Sequence, residues 1–349
     1  MEFLGIKFAP LNVPLKRRLE TLAVAIWVIF IAFGDFWASL FTVYAIFYSP
    51  TLRFFMPLYY LWMYYDCNAR NTGSSMRWVR LFRNCTWMRY LSNYFPVKVV
   101  KTTDMDPSRN YLFVSFPHGI LCFGILAAVH SSNHTGQNKL FSSLEIRLVS
   151  LDLHFKMPFF REVVSLMGFI GSDAESISYQ LSTKPEQGYT GKVTILVPGG
   201  AAESLECRPN TYRIIVKRRK GFVRLALMHG TPLVPVFSFG ETNTYDQVYG
   251  PEGSLFRRVQ DYIRSLISLA PVVLKGRGFF QYNFGILPRR TPITVVVGSP
   301  IELPKIEEPT KEQINEYHEK FIKELVNLFE TNKHKYIENA DSVKLELLS

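Results

Sequence analysis

The sequence predicts an α/β domain that follows a membrane-embedded N-terminal segment. Beyond residue 95, short apolar stretches that end at Pro or Gly alternate with helical stretches, the pattern of a sheet flanked by helices. Ahead of it, residues 22–48 contain a single charged side chain, Asp35. The chain is 48% hydrophobic and 15% aromatic, which allows a large core and leaves apolar residues over for a membrane.

The N-terminal segment consists of two apolar runs, Leu22 to Phe33 and Phe36 to Tyr48, separated by Gly34-Asp35. One helix over the whole stretch would be about 40 Å long, more than a hydrocarbon core of about 30 Å requires. It would also place Asp35 near mid-membrane, where a carboxylate is costly. We therefore predict a helical hairpin that turns at Gly34-Asp35. The basic flanks Lys16-Arg17-Arg18 and Arg53 then share one side, predicted to be cytosolic.

No Ser/Gly/Pro-rich linker or acidic tract divides the chain. We predict three segments: an N-terminus with the membrane hairpin (residues 1–50, hairpin about 22–48), an aromatic interfacial segment and linker (51–95), and a catalytic domain (96–349). The aromatic run from Arg53 to Tyr65 suits a membrane interface, although packing in a protein core would explain it too.

Within the catalytic domain, β-branched and aromatic runs predict strands and periodic runs predict helices. The predicted strands are Tyr111 to Ser115, Val193 to Val197, Leu233 to Phe239 and Ile293 to Val297. The predicted helices are Ile120 to His130, Gly221 to Met228, Ser254 to Leu269 and a C-terminal helix opened by the capping box Thr310-Lys-Glu-Gln313.

Two of these helices are amphipathic. The C-terminal helix carries an apolar stripe that predicts a core-facing helix, formed by Ile314, Tyr317, Phe321, Leu325 and Leu328. The helix from Ser254 to Leu269 has a comparable stripe together with three arginines, so it suits either a bilayer surface or the sheet. Packing on the sheet is the favoured interpretation.

The formal net charge of +11 predicts an anionic partner, such as nucleic acid, lipid headgroups or a phosphorylated substrate. Nucleic acid is the weakest of these options, because no RNP signature, zinc-finger spacing or recognition-helix motif is present, and we expect no nucleic-acid partner. The cysteines are scattered without a C-x-x-C, which indicates a reducing compartment and predicts no zinc site; they are Cys67, Cys85, Cys122 and Cys207. We expect no metal and no bound cofactor.

His118 is the leading catalytic candidate. It stands between a predicted strand and Gly119, in Phe116-Pro-His-Gly, where an imidazole is displayed at a strand end. With a pKa of about 6.5, such a group accepts a hydroxyl proton near neutral pH. The following glycine allows close backbone approach and an N–H for an oxyanion. A turn histidine that only bonds locally is the alternative.

A second glycine turn follows a second strand, in Val197-Pro-Gly-Gly-Ala-Ala-Glu-Ser204. Glu203 is predicted to orient and charge-balance His118, and Gly199 and Gly200 are further candidates for oxyanion donors. Ser204 lacks the G-x-S-x-G frame of a hydrolase nucleophile. Cys122, four residues after His118, is a rival nucleophile for an acyl-enzyme, with a buried core thiol as the favoured interpretation.

A basic cluster, Lys217-Arg218-Arg219-Lys220, precedes the predicted helix that begins at Gly221. Several cations at a loop-to-helix junction form a candidate phosphate site. A solvated charged surface is the alternative.

Five motifs in order resemble the type-2 diacylglycerol acyltransferase family, which includes monoacylglycerol and wax-alcohol acyltransferases. They are Tyr94-Phe-Pro96, Phe116-Pro-His-Gly119, Pro198-Gly-Gly-Ala-Ala-Glu203, Arg219-Lys-Gly-Phe222 and Leu233 to Glu241. The resemblance runs nearly end to end. It implies a glycerolipid-acyltransferase-like mixed sheet flanked by helices, an endoplasmic-reticulum membrane protein with a cytosolic catalytic domain, and an association with lipid droplets.

The resemblance also implies O-acyl transfer from acyl-CoA to diacylglycerol or 2-monoacylglycerol in the bilayer, with acyl-CoA as co-substrate and His118 as the catalytic base. The basic cluster would then bind the phosphates of acyl-CoA. A wax-ester synthase and a lipid-binding protein without catalysis are the alternatives. Membrane lipid is a further expected partner, and a homo-oligomer is compatible with the sequence.

Three departures from the family patterns bear on the site, and one is Asp173-Ala174-Glu175, where relatives commonly have Ser-Arg before an acidic residue. The wider superfamily signature is His-x4-Asp, but Phe123 occupies the Asp place here, so Glu203 is the predicted substitute. Most relatives read His-Pro-His-Gly, whereas this chain has Phe116 at the first position.

Overall fold

The computed structural model describes residues 2–3, 5–10, 12–66, 68–131, 141–251 and 253–349. The helices are α1 Leu15–Phe47, α2 Pro50–Tyr65, α3 Ala69–Thr72, α4 Met76–Arg83, α5 Thr86–Tyr94, α6 Phe123–Ser131, α7 Asp152–Lys156, α8 Phe160–Leu166, α9 Ala174–Ser182, α10 Gly200–Ser204, α11 Gly221–His229, α12 Leu255–Ile267 and α13 Lys311–Tyr336. Short 3₁₀ helices span Glu241–Thr244 and Ala340–Ser342.

The strands are β1 Glu2–Phe3, β2 Ile6–Lys7, β3 Val97–Lys101, β4 Tyr111–Phe116, β5 Leu144–Ser150, β6 Phe169–Gly171, β7 Gly191–Leu196, β8 Tyr212–Ile215, β9 Leu233–Phe239, β10 Asp246–Gln247, β11 Leu274–Lys275, β12 Ile293–Val297 and β13 Leu345–Leu348. Seven of them form the main sheet in the order β3-β12-β9-β4-β7-β5-β6. Strands β9, β4, β7, β5 and β6 are mutually parallel, and β12 joins them antiparallel through β9. The predicted mixed α/β class is confirmed.

The four predicted strands lie at the centre of this sheet as β4, β7, β9 and β12. They contain β-branched and aromatic residues that are buried on both faces, as expected for strands covered by helices on each side. One face of the sheet packs on α1, α5 and α6, and the other on α11 and α13. The capping box at the start of α13 is confirmed, because Thr310 and Gln313 exchange both hydrogen bonds.

The predicted turn at Gly34-Asp35 is wrong. Helix α1 continues through both residues for 33 residues in all, about 50 Å, and by length and composition it is long and apolar enough to cross a membrane. The chain turns instead at Tyr48–Ser49 and enters α2, where the Arg53 guanidinium donates hydrogen bonds of 2.6 Å to the carbonyls of Ile46 and Phe47. These bonds satisfy carbonyls that the end of α1 leaves free.

Tertiary contacts explain why the helix does not break at Gly34-Asp35. Asp35 Oδ2 lies 2.8 Å from Nδ1 of His154 in α7, so the carboxylate has a partner within the protein. Gly34 lies against the Phe160 ring, where a Cβ atom would come within 2.1 Å of a ring carbon. The glycine therefore allows close helix packing, and one oxygen of the acidic side chain gains a partner without a turn.

The first half of α1 belongs to the main core. Ala23, Val24 and Trp27 are buried in the same cluster as Phe113 of β4 and Val295 of β12. One core thus contains residues from both sides of the predicted boundary at residue 95. The predicted division into a membrane segment, an interfacial segment and a catalytic domain stays a prediction.

The prediction that the helix from Ser254 to Leu269 packs on the sheet is also wrong. The apolar face of α12 is exposed, with Leu255 at 77% and Leu266 at 64% relative exposure. The helix attaches to the domain through polar contacts, chiefly Arg257 to Glu206 at 2.8 Å and Gln260 to the carbonyl of Pro271 at 3.0 Å. The aromatic segment in α2 is likewise exposed along most of its length, with Met56 its buried residue.

Candidate active site

The carboxyl ends of three neighbouring parallel strands meet at one edge of the sheet. Strand β4 leads into Pro117-His118, β7 into the Gly199-Gly200 turn, and β9 into Glu241. Because β4 lies between β7 and β9, residues from distant parts of the sequence converge around His118. This edge of an α/β sheet is where ligands commonly bind.

His118 is partly exposed, and its ring bonds to the protein through Nδ1. This nitrogen lies 2.9 Å from Oγ of Ser204 and 3.2 Å from the carbonyl oxygen of Gly119. Within the described part of the chain, Nε2 has no hydrogen-bond partner and is left for a substrate. Burial lowers the pKa of His118 to about 4, so the imidazole is neutral at physiological pH.

Glu203 lies directly beneath the turn that carries His118. Its buried carboxylate accepts the backbone N–H of His118 at 2.5 Å and that of Ile215 at 2.9 Å. A Cβ atom on Gly199 would come within 2.1 Å of the carboxylate, so a glycine is required there. Burial raises the pKa of Glu203 to about 7, against the lowering effect of these N–H donors and the positive charge of Arg219. The structure thus brings the two predicted residues together through the His118 backbone.

Glu241 is a second buried carboxylate at this site. It was not predicted from the sequence to be functional. It accepts the backbone N–H groups of Phe123 at 3.0 Å and Gly124 at 2.6 Å, which begin α6. Burial raises the pKa of Glu241 to about 7, while these two donors lower it. Phe123 occupies the Asp place of the His-x4-Asp signature. The carboxylate of Glu241, which follows β9, bonds to the backbone at that same position. An acidic residue that follows the apolar run of β9 after one glycine, Gly240, was the available sequence signal.

Cys122 is placed badly for nucleophilic catalysis. Its Sγ donates to the carbonyl oxygen of His118 at 3.2 Å. Burial raises the pKa of the Cys122 thiol, and the nearby Glu241 and Glu203 carboxylates raise it further. A thiolate is the reactive form, so the surroundings of Cys122 favour an inert core thiol. Cys85 and Cys207 are also free thiols, and Cys67 lies outside the described residues.

The predicted phosphate-binding cluster spreads over the turn between β8 and α11. Lys217, Arg218 and Arg219 are exposed, and Arg219 is close enough to Glu203 for their charges to interact. Lys220 donates to Oδ1 of Asn315 in α13 at 2.6 Å and so points to the C-terminal helix. Arg219 is therefore the member of the cluster whose charge acts on Glu203.

The three predicted oxyanion donors lie in the two turns that meet at His118. Gly119 follows His118 at a φ of +60°, and Gly199 and Gly200 open α10 beneath it. Within the described part of the chain, no hydrogen bond occupies their N–H groups. Their role as donors stays a prediction.

Comparisons with known proteins identify the family of this chain. The family model described as diacylglycerol acyltransferase matches residues 44–347. Diacylglycerol O-acyltransferase 2 of Dictyostelium discoideum is 39% identical over 94% of this chain and 96% of its own length. 2-Acylglycerol O-acyltransferase 1 of Bos taurus is 40% identical over 95% of this chain and 96% of its own length. The Homo sapiens 2-acylglycerol O-acyltransferase 1 is 39% identical over the same shares of the two chains.

Among solved structures, the 1-acyl-sn-glycerophosphate acyltransferase PlsC of Thermotoga maritima aligns with 88% of this chain and 96% of its own. This alignment has 14% sequence identity and a TM-score of 0.40. The sequence matches are sufficient by themselves, because they cover nearly all of both chains. The protein belongs to the diacylglycerol acyltransferase family.

Proposed function

We propose that this protein is an acyl-CoA-dependent O-acyltransferase that acylates diacylglycerol or 2-monoacylglycerol. The observation that carries the proposal is His118, whose neutral imidazole presents Nε2 at the carboxyl edge of the sheet. The names of the relatives supply the substrate class, since they are diacylglycerol and 2-acylglycerol O-acyltransferases.

In the proposed reaction, Nε2 of His118 takes the proton of the acceptor hydroxyl while that oxygen attacks the thioester carbonyl carbon. The tetrahedral intermediate collapses, the carbon–sulfur bond breaks, and the departing sulfur takes the proton from His118 to give free coenzyme A. A thioester is already activated, so no covalent enzyme intermediate is required. General-base catalysis of this kind typically contributes about 10²- to 10⁴-fold, or roughly 3 to 5 kcal/mol.

The charges around the histidine suit this chemistry. The carbonyl oxygen of the thioester becomes negative during attack, and the N–H groups of Gly119, Gly199 and Gly200 are the proposed donors to it. We propose that the coenzyme A phosphates contact the basic cluster, which consists of the exposed Lys217, Arg218 and Arg219 and the less exposed Lys220. Glu203 keeps His118 in place through its backbone.

Exposed apolar surfaces support placing this site at a membrane boundary. Helix α1 exposes Phe36 and Phe47 among many apolar residues, and α2 and α12 expose further apolar side chains. The positive charges Lys16-Arg17-Arg18 at the start of α1 favour a cytosolic N-terminus. We propose that the protein lies in the endoplasmic-reticulum membrane with its catalytic domain cytosolic. Acyl-CoA would then arrive from the cytosol and the acylglycerol from the bilayer.

The first experiment compares membranes that contain the wild-type chain, His118→Ala or His334→Ala. His334 is an exposed histidine at the end of α13 and serves as the matched control. Each membrane receives labelled acyl-CoA with monoacylglycerol, diacylglycerol or hexadecanol, and the lipid products are resolved. We expect labelled acylglycerol from wild type and His334→Ala, and a loss of about 10²-fold or more in His118→Ala.

Each arm of the experiment tests a different statement. Equal product from wild type and His118→Ala would remove His118 from the mechanism. Product from hexadecanol alone would replace the acylglycerol acceptor with a long-chain alcohol. An absence of product with all three acceptors, from wild type that is folded and membrane-bound, would favour a lipid-binding protein without catalysis.

A further inference from the structure

We propose that Ser204 is a positioning residue that holds His118 in the tautomer required of a base. This inference rests on the proposed acyltransferase function and adds a residue that our sequence analysis set aside. Its starting point is the contact of 2.9 Å between Ser204 Oγ and Nδ1 of His118. Ser204 is 2% exposed and lies on α10, one residue after Glu203.

The direction of each hydrogen bond follows from its partners. The carbonyl oxygen of Gly119, 3.2 Å from Nδ1, has no proton to give, so this contact requires the proton on Nδ1. The hydroxyl of Ser204 donates to the carbonyl oxygen of Gly200 at 3.4 Å, which leaves its lone pairs to accept from Nδ1. All three contacts are compatible when Nδ1 carries the proton and shares it between Oγ of Ser204 and the carbonyl oxygen of Gly119. Nε2 then has the free lone pair that a general base needs.

Ser204 occupies the place that a carboxylate has in many histidine-based sites. The two buried carboxylates nearby are engaged elsewhere, since Glu203 accepts the N–H groups of His118 and Ile215, and Glu241 those of Phe123 and Gly124. Ser204 itself is held by its main chain, because Nε2 of the buried Gln247 donates to its carbonyl oxygen at 2.9 Å. The neutral hydroxyl of Ser204, on a backbone held by Gln247, therefore orients the His118 ring.

The same contact raises the alternative that Ser204 is a nucleophile. The geometry opposes it, since the hydroxyl faces Nδ1 in a buried position, whereas the substrate side of the ring is Nε2. A nucleophilic serine would form an acyl-enzyme and would be required for any turnover. A positioning serine leaves residual activity, because Gly119 still holds Nδ1.

The test measures kcat and KM in detergent micelles for wild type, Ser204→Ala, Ser204→Thr and Ser165→Ala. Threonine retains a hydroxyl at the site. Ser165 in α8 is the matched control, a buried serine whose Oγ has no hydrogen-bond partner within the described part of the chain. We expect Ser204→Ala to lose about 10- to 100-fold in kcat, less than the roughly 10⁴-fold known for a catalytic histidine forced into the wrong tautomer.

Further readouts separate positioning from a structural role. We expect the KM values of Ser204→Ala to change by less than about threefold, and its kcat to fall by one constant factor between pH about 6 and about 8, because the reactive tautomer is depleted at every pH. Ser204→Thr should recover most of the activity. Thermal unfolding of each variant shows whether the fold is intact.

Three results would overturn the proposal. Ser204→Ala with wild-type kcat would show that the contact is dispensable. Complete loss in Ser204→Ala, together with a hydroxylamine-sensitive acyl-enzyme in wild type, would make Ser204 the nucleophile. Activity that falls only in proportion to lost thermal stability, in both Ser204 variants, would make its role structural. If wild type itself transfers no acyl group while folded, the proposed function fails first and this inference fails with it.

Discussion

Helices α12 and α13 have similar sequence patterns and opposite surroundings. Both carry an apolar stripe at helical spacing with charges elsewhere. In α13 the stripe is buried on the sheet, with Phe321 and Leu325 fully buried. In α12 the stripe is exposed, and polar side chains attach the helix to the domain. An amphipathic pattern therefore predicts that one face leaves water, but it does not distinguish a protein core from a bilayer.

The largest expected effect is in α13. Phe321→Ala removes a fully buried ring that packs edge-on against Phe222, with ring centroids 5.1 Å apart. We expect the free energy of unfolding to fall by about 3 to 5 kcal/mol, because a cavity remains in a close-packed core. Denaturant unfolding of the detergent-solubilised protein measures it. A loss below about 1 kcal/mol would show that α13 is no core element.

A smaller effect is expected where α12 attaches. Arg257→Ala removes the guanidinium that lies 2.8 Å from Glu206, a carboxylate with a side chain 6% exposed. We expect a loss of about 1 to 3 kcal/mol, less than for a buried pair broken completely, because Arg213 still bonds to Glu206. Proteolysis within α12 should also become faster.

Arg258→Ala is the matched control for this attachment. Arg258 is the next residue of α12, and its exposed side chain has no partner within the described part of the chain. Its replacement should change stability by less than about 0.5 kcal/mol. If both substitutions leave stability and proteolysis unchanged, the polar contacts do not hold α12.

The smallest effect on folding is expected on the apolar face of α12. The double variant Leu255→Ser, Leu266→Ser changes two exposed leucines, so the free energy of unfolding should change by less than about 0.5 kcal/mol per site. If this face contacts lipid, acyl transfer to diacylglycerol in vesicles should fall several-fold relative to transfer in micelles. A large loss of stability would instead show that the face is packed on protein.

Much of the catalytic domain was predictable from the sequence, because its signals are local. The strand Leu233–Phe239 is an apolar run bounded by Pro and Gly, and the start of α13 is marked by a capping box whose two residues bond to each other. His118 was identified as the residue displayed at a strand end. Ser204 and Glu241 were not assigned roles, because Ser204 lies 86 residues from His118, and Glu241 lies 117 and 118 residues from its two partners.

The N-terminal helix shows how a local rule fails. A glycine followed by an acidic residue inside an apolar run predicts a turn when only the membrane is considered. Here a phenylalanine from α8 packs on Gly34, and His154 from α7 pairs with Asp35. Both partners come from more than 100 residues further along the chain, and no local pattern announces them.

The sequence by itself determined the α/β class, the apolar N-terminal segment, the central strands and the histidine, since each depends on residues close together in the chain. The tertiary structure alone decided where the N-terminal helix ends, which amphipathic helix faces the core, and which groups contact the imidazole. Those outcomes depend on contacts between distant segments. The contacts of the imidazole form because the parallel strands β7, β4 and β9 bring their carboxyl ends to one edge.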